Sequence, residues 1–276
     1  MSQLAVITGT THGIGRVTCR ELARAGRTVV MLCRDLRAAG VVRDEMRRHV
    51  PGARVEVVHC DLASLGSVRE AAAKVRRDYP RLGLLVNNAG MVSTRHRTSV
   101  DGFELTFATN HLGPFLLTAL LSDHLDEAAR IVMVASRIHY RGRLDLAAVT
   151  DPHARYGATA AYARSKLANV MHTFALARRM AGSGISVNCL HPGVVATNLL
   201  PRWLRVIKPL ITRVMFDAER GARTSLYLAL DPGVAGKTGC YFDEYQLPRA
   251  ASALANDVEL QESLWKMSAE WTGAPQ

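Results

Sequence analysis

The sequence predicts a doubly wound, parallel α/β sheet with helices on both faces, carried in a single domain over residues 1–276. Three observations predict it. Short apolar runs of strand length alternate with stretches of helix length from the first residues onward. The strands are apolar throughout rather than alternating, as a sheet covered on both faces requires. No internal repeat, low-complexity tract or linker divides the chain.

Leu4-Ala5-Val6-Ile7 reads as the first strand, followed by a glycine-bearing turn and a helix over residues 14–25 that Gly26 closes. Residues 28–33 form the second strand, and residues 36–49 a helix ended by Val50-Pro51-Gly52. Residues 55–58 are a third strand, followed by a helix over residues 67–79 that Pro80 stops. Residues 82–86 and 131–134 read as the fourth and fifth strands, with a mostly helical stretch, residues 101–121, between them. A helix over residues 160–180 and a sixth strand over residues 185–190 complete the alternation.

Composition removes several classes of function. A chain that is 48% hydrophobic and 21% charged can bury a sizeable core and is not disordered. No stretch approaches the ~18 uninterrupted apolar residues of a membrane-spanning helix. Met1-Ser2-Gln3 leads into Leu4 with no signal-peptide layout, so the expected location is cytoplasmic. Lys and Arg number 35 against 24 Asp and Glu, a net charge of +11. That excess suits phosphate-bearing ligands, but it is scattered rather than gathered in blocks, which argues against a nucleic-acid partner. Cys19, Cys33, Cys60, Cys189 and Cys240 are isolated and form no C-x-x-C. They read as reduced core thiols, with no metal site or disulfide framework expected.

The first strand runs into Thr8-Gly9-Thr10-Thr11-His12-Gly13-Ile14-Gly15, with a helix starting near Ile14. Glycines permit the tight turn and let backbone N–H groups approach a pyrophosphate, which the positive helix end also attracts. The spacing is G-x-x-x-G-x-G, not the commoner G-x-G-x-x-G dinucleotide fingerprint.

That spacing resembles the cofactor motif of the short-chain dehydrogenase/reductase family. Asn87-Asn88-Ala89-Gly90, Asn110, Ser136, Tyr162-Ala163-Arg164-Ser165-Lys166 and His191-Pro192-Gly193 follow in the same chain order as the family's other motifs. The resemblance runs from about residue 3 to residue 245. Cys33-Arg34-Asp35, AYARSKLAN and HPGVV look most like the retinol-dehydrogenase-like branch. A Rossmann-type fold and a nicotinamide cofactor are what the resemblance implies. Cofactor contacts are implied for Gly9, Thr11, His12, Gly13, Ile14 and Gly15 in the turn, and for Asp61 and Leu62 near the adenine. Asn88, Ala89 and Gly90 would let the cofactor pack closely. Pro192, Gly193, Val195 and Thr197 would lie around the nicotinamide.

The second strand ends where the adenosine ribose would lie. A carboxylate there would bind the ribose 2′-hydroxyl and repel a 2′-phosphate, but Cys33 holds that place and Arg34 follows. A guanidinium suits a phosphate, and His12 stands where many NADP-using relatives carry a second basic residue, so NADP(H) is expected over NAD(H). Asp35 opposes this if it points inward and is neutral to it if it caps the next helix.

Tyr162 and Lys166, four residues apart, share one helix face. Tyrosine ionises near ~10, and the ammonium, together with an oxidised nicotinamide, is expected to lower that value. No other tyrosine has a lysine at this spacing. Ser136, just past the fifth strand, can hold the substrate oxygen beside Tyr162. The resemblance assigns Asn110 to bending its helix and holding a water linked to Lys166; a capping or kinking residue without chemistry is the alternative. Tyr162 and Lys166 would also contact the cofactor. The long interval from Ser136 to Tyr162 requires an excursion near the site over residues 137–159.

Residues 198–217, bulky and apolar with Arg202, Arg205, Lys208 and Arg213 interleaved, match the family's substrate lid. They point to a lipophilic ketone, aldehyde or alcohol, or to a membrane surface contacted by a basic amphipathic segment, although Pro201 and Pro209 break a helix there. Family habit implies a homodimer or homotetramer. The expected activity is hydride transfer between NADP(H) and a carbonyl or alcohol carbon. A nicotinamide-binding protein without turnover, or a non-redox biosynthetic enzyme on the same fold, stands as the alternative.

Overall fold

Strand β1 (Leu4–Thr8) is buried along its whole length between β2 (Thr28–Cys33) and β4 (Leu82–Asn87). The computed structural model, which describes residues 3–193 and 218–275, extends the sheet outward on both sides. With β3 (Arg54–His59), β5 (Leu125–Val134), β6 (Ser186–Leu190), β7 (Cys240–Phe242) and β8 (Pro248–Arg249), the strand order is β3-β2-β1-β4-β5-β6-β7-β8. Every pairing is parallel except the last, between β7 and β8. The order reverses between β1 and β4, the switch point outside whose carboxyl ends such sheets bind ligands.

The apolar strands are covered on both faces, as their composition requires. On one face α1 (Gly13–Arg24) places Cys19 and Leu22, and α2 (Leu36–His49) places Val42 and Met46, against β1, β2 and β4. On the other, α3 (Leu65–Asp78) contributes Val68 and Val75. Between β4 and β5 come α4 (Leu105–Phe107) and α5 (Gly113–Leu121), joined by a π-helical turn over Ala108–Leu112. A Cβ on Gly113 would fall 2.3 Å from the Leu62 carbonyl oxygen, so α5 crosses the end of β3 only because that position is glycine. After a short helix α6 (Ala147–Thr150), α7 (Ala158–Arg179) returns the chain to β6. Helix α8 (Ala218–Leu230) lies on the α1 face. Beyond β8 follow α9 (Ala253–Asn256) and α10 (Val258–Thr272), the latter started by the Asp257 carboxylate and stopped at left-handed Gly273.

The six expected strands are present, with shifted ends. The largest shift is at β5, which starts at Leu125, because Asp126 and Glu127 and the exposed Ala128 interrupt the apolar signature of its first half. Strands β7 and β8 and helix α10 extend the predicted set. No helix among the described residues is long and apolar enough to cross a membrane.

Candidate active site

The cleft is built at the carboxyl ends of β1, β4 and β5. Gly9 adopts φ +71°, and a Cβ there would meet Ala89 Cα at 2.7 Å. At Gly15 a Cβ would come within 2.1 Å of the Gly9 carbonyl oxygen, so the turn closes only around glycine. The turn is held from the side by β4. Thr8 Oγ1 accepts from the N–H groups of Asn88 and Ala89, both at 3.0 Å, and Asn88 Nδ2 donates to the Thr8 and Gly9 carbonyls at 2.8 and 3.0 Å. Thus the Asn88 side-chain nitrogen is a clasp for the turn. At the start of α1, His12 makes no side-chain cap and no acid occupies the first turn. The N–H groups there meet the cleft with no side-chain acceptor, and they fit a pyrophosphate by the chemistry of their donors.

The adenosine end follows from β2. Cys33 Sγ lies 3.1 Å from Thr10 Oγ1, so no carboxylate occupies the ribose position. The Asp35 carboxylate accepts from Ala38 N at 2.9 Å and caps α2, and the residue also lines the cleft. Arg34 lines the cleft, exposed, and its guanidinium makes no hydrogen bond among the described residues. Asp61 Oδ1 is held by Ala63 N at 3.0 Å. His12 is exposed, its Nδ1 3.0 Å from Thr11 Oγ1.

Helix α7 carries Tyr162 and Lys166 under this cleft. Lys166 is 2% exposed, donates from Nζ to the Val134 carbonyl at 2.7 Å, and lies 5.7 Å from the Tyr162 ring centroid. Burial pushes the lysine down to about 8. Burial also pushes the Tyr162 phenol up to about 12, with the Ser136 hydroxyl pulling it back. The lowering expected from the ammonium is therefore not what governs these side chains: desolvation outweighs it on both. Ser136 opens a 3₁₀ turn, Arg137–Arg141, the first part of the expected excursion. The rest passes through α6, where Val149 accepts from Glu104 N at 2.8 Å.

Asn110 sits in the π-helical turn, fully buried. Its Oδ1 accepts from Met91 N at 2.8 Å, while Nδ2 donates to the Met91 carbonyl at 2.9 Å and to Ser165 Oγ at 3.0 Å. The side chain thus ties the loop after β4 to α7, beneath Gly90. Such turns recur at functional sites because they re-aim one residue without breaking the helix.

Gly9, residues 11–15, Arg34, Asp61-Leu62, residues 88–90, Ser136, Tyr162, Lys166 and Pro192-Gly193 all line one cleft of about 1340 Å³. That exceeds the ~300–1,000 Å³ of ordinary small-molecule pockets and leaves room for a dinucleotide and a second molecule. Asn110 stands behind the wall. Val195, Thr197 and the lid at residues 198–217 lie outside the described residues. One supporting residue escaped the sequence reading, and a second was named there only within its motif. Glu104, 1% exposed, accepts from Thr106 N and Phe107 N at 2.7 and 3.0 Å and starts α4. His191, 4% exposed, lines the cleft; among the described residues neither ring nitrogen is hydrogen-bonded, and Nε2 lies 3.7 Å from Glu244. A carboxylate just ahead of a helical run was a legible cap signal; His191 was visible as part of its motif, but its place in the cleft wall was not.

A family model described as short chain dehydrogenase matches residues 3–205. The chain belongs to the short-chain dehydrogenase/reductase family. It is 38% identical to retinol dehydrogenase 13 of Homo sapiens, over 97% of this chain and 84% of that protein. It is 37% identical to human polyprenol dehydrogenase, over 98% and 85% respectively. Among solved structures, an uncharacterized protein from Mycobacterium Paratuberculosis superposes with a TM-score of 0.81 at 36% identity, covering 99% of this chain and 95% of that one. A blue fluorescent protein from a metagenomic library, in complex with NADPH, gives 0.70 at 25% identity, covering 87% and 95%. Within the family the chain falls in the retinol-dehydrogenase-like branch, and it is an oxidoreductase that works with a nicotinamide cofactor.

Proposed function

We propose that the protein transfers hydride between NADP(H) and the carbonyl or alcohol carbon of a lipophilic small molecule, with Tyr162 as acid/base. The observation that carries this reading is the placement of Tyr162, Ser136 and Lys166 on the same cleft as the glycine turn. The glycine turn and the start of α1 would hold the cofactor's pyrophosphate, and the nicotinamide would supply or accept the hydride. Ser136 holds the substrate oxygen toward the phenol. In reduction that oxygen takes the Tyr162 proton as the carbon takes the hydride; in oxidation the proton returns. A phenol pushed up to about 12 holds its proton at neutral pH and is set to donate it. Lys166 keeps its ammonium near the ring, stabilising the tyrosinate formed when the proton leaves. Asn110 positions Lys166 indirectly, through Met91 and Ser165.

Three observations support the finer choices. Arg34 is exposed at the ribose end without a partner among the described residues, and Cys33 replaces a carboxylate there, which favours the 2′-phosphate. Met91, Val92, Leu105 and Ile138 give the substrate end an apolar wall. Relatives are named for retinol and polyprenol, both lipophilic alcohols. The test is a fluorescence titration with NADPH and NADH, followed by a panel of ketones and aldehydes. Tighter binding of NADPH with turnover of lipophilic carbonyls is expected. Equal affinities reject the phosphate assignment, and binding without turnover of any member rejects the enzymatic reading in favour of a binding protein.

A further inference from the structure

The charge along the cleft is divided. Among its described lining residues the only acids are Asp35 and Asp61, both at the adenosine end and each bonded to a backbone N–H of its own loop or helix. The substrate end has none. Instead Arg137 and Arg141 line it from the turn that follows Ser136, and Arg97 from the loop ahead of α4. All three are exposed, and none of their guanidinium groups makes a hydrogen bond or ion pair among the described residues. Arginines elsewhere are commonly tied down: Arg20 meets Glu219 at 2.8 Å, and Arg178 and Arg179 both meet Glu262. Glu244, close to His191, lies outside the lining. The apolar Met91, Leu105 and Ile138 line the same cleft.

Resting on the oxidoreductase reading, we infer that the substrate is an amphiphile: an apolar skeleton bearing the reacting carbonyl or hydroxyl, and ending in a carboxylate or phosphate received by Arg97, Arg137 and Arg141. Guanidinium forks bind both oxyanions through paired, charge-assisted hydrogen bonds, whereas a wholly neutral substrate leaves three unpaired cations at the mouth. The anion takes no part in the transfer itself, so it acts on binding and orientation and leaves the proton and hydride balance unchanged.

The test compares, with NADPH, an n-alkyl aldehyde, the same aldehyde ending in a carboxylate, and the same ending in a phosphate monoester. The readout is the ratio of kcat/KM for each charged aldehyde over the neutral one, which general loss of folded enzyme does not move. A ratio of about ten or more is expected for the wild type, collapsing toward one in Arg137→Gln/Arg141→Gln and falling with added salt. A ratio near one in the wild type, or one the double variant leaves unchanged, overturns the inference. So does co-sedimentation with phosphatidylglycerol vesicles without preference among the free aldehydes, which would make the cations a headgroup site. If no aldehyde is reduced, the oxidoreductase reading fails, and equilibrium dialysis with an alkane dicarboxylate decides the anion subsite separately. Retention by the wild type and not by the double variant supports the subsite; equal retention overturns it.

Discussion

Replacing Lys166 by methionine is expected to make the folded protein more stable while removing its chemistry. The lysine is 2% exposed, its single hydrogen bond among the described residues goes to the Val134 carbonyl at 2.7 Å, and burial lowers it from 10.5 to about 8. At ~1.4 kcal/mol for each unit, that lowering corresponds to roughly 3 kcal/mol of penalty for holding the charge in the fold at pH 7. Loss of the hydrogen bond to Val134 returns about 1 kcal/mol, leaving a net gain near ~2 kcal/mol. The sign follows from proton binding. Below about 8 both folded and unfolded chains carry the proton and the full penalty applies. Between there and the unfolded value the unfolded chain binds more protons, so wild-type stability rises with pH and the gap to Lys166→Met narrows. The assay is thermal unfolding at neutral and alkaline pH. A rise in Tm of roughly 4–8 °C for the variant at pH 7, shrinking toward pH 9, is expected. A variant less stable than the wild type at pH 7, or a gap that does not change with pH, refutes the claim that desolvation governs this side chain.

Gly15→Ala should destabilise by about 3 kcal/mol and abolish nicotinamide binding, because its Cβ would lie 2.1 Å from the Gly9 oxygen; unfolding and fluorescence titration check both. Arg34→Gln should weaken NADPH binding about tenfold and leave NADH binding unaltered, read from paired titrations. Glu104→Ala should lower stability by about 2 kcal/mol, since it leaves the N–H groups of Thr106 and Phe107 without their acceptor and removes the carboxylate 4.0 Å from Arg164.

What the sequence made legible are the features written in local chemistry. Apolar runs marked β1 to β4 and β6, and the glycine spacing marked the turn whose closure Gly9 and Gly15 control. The spacing of Tyr162 and Lys166 marked their shared helix face. Asp35 illustrates the limit: its identity allowed either an inward or a capping role, and the fold gives it both a cap on Ala38 N and a place in the cleft lining. The start of β5 was hidden because half-exposed strands lose the apolar signature, and β7, three residues long, is too short to show a period. The π-helical turn at Asn110 depends on bonds to Met91 and Ser165, which lie far away in the chain. The burial that acts on Tyr162 and Lys166 was out of sight for the same reason. Neighbouring charge can be read from spacing, whereas burial is a property of the assembled cleft.

The most direct measurement of the central claim is single-turnover oxidation of NADPH by Tyr162→Phe beside the wild type, with NADPH affinity determined on the same samples. The account predicts unchanged affinity and a rate lower by about a thousandfold, because the phenol's proton is missing while the cleft is intact. A phenylalanine variant that turns over its carbonyl substrate as fast as the wild type contradicts it.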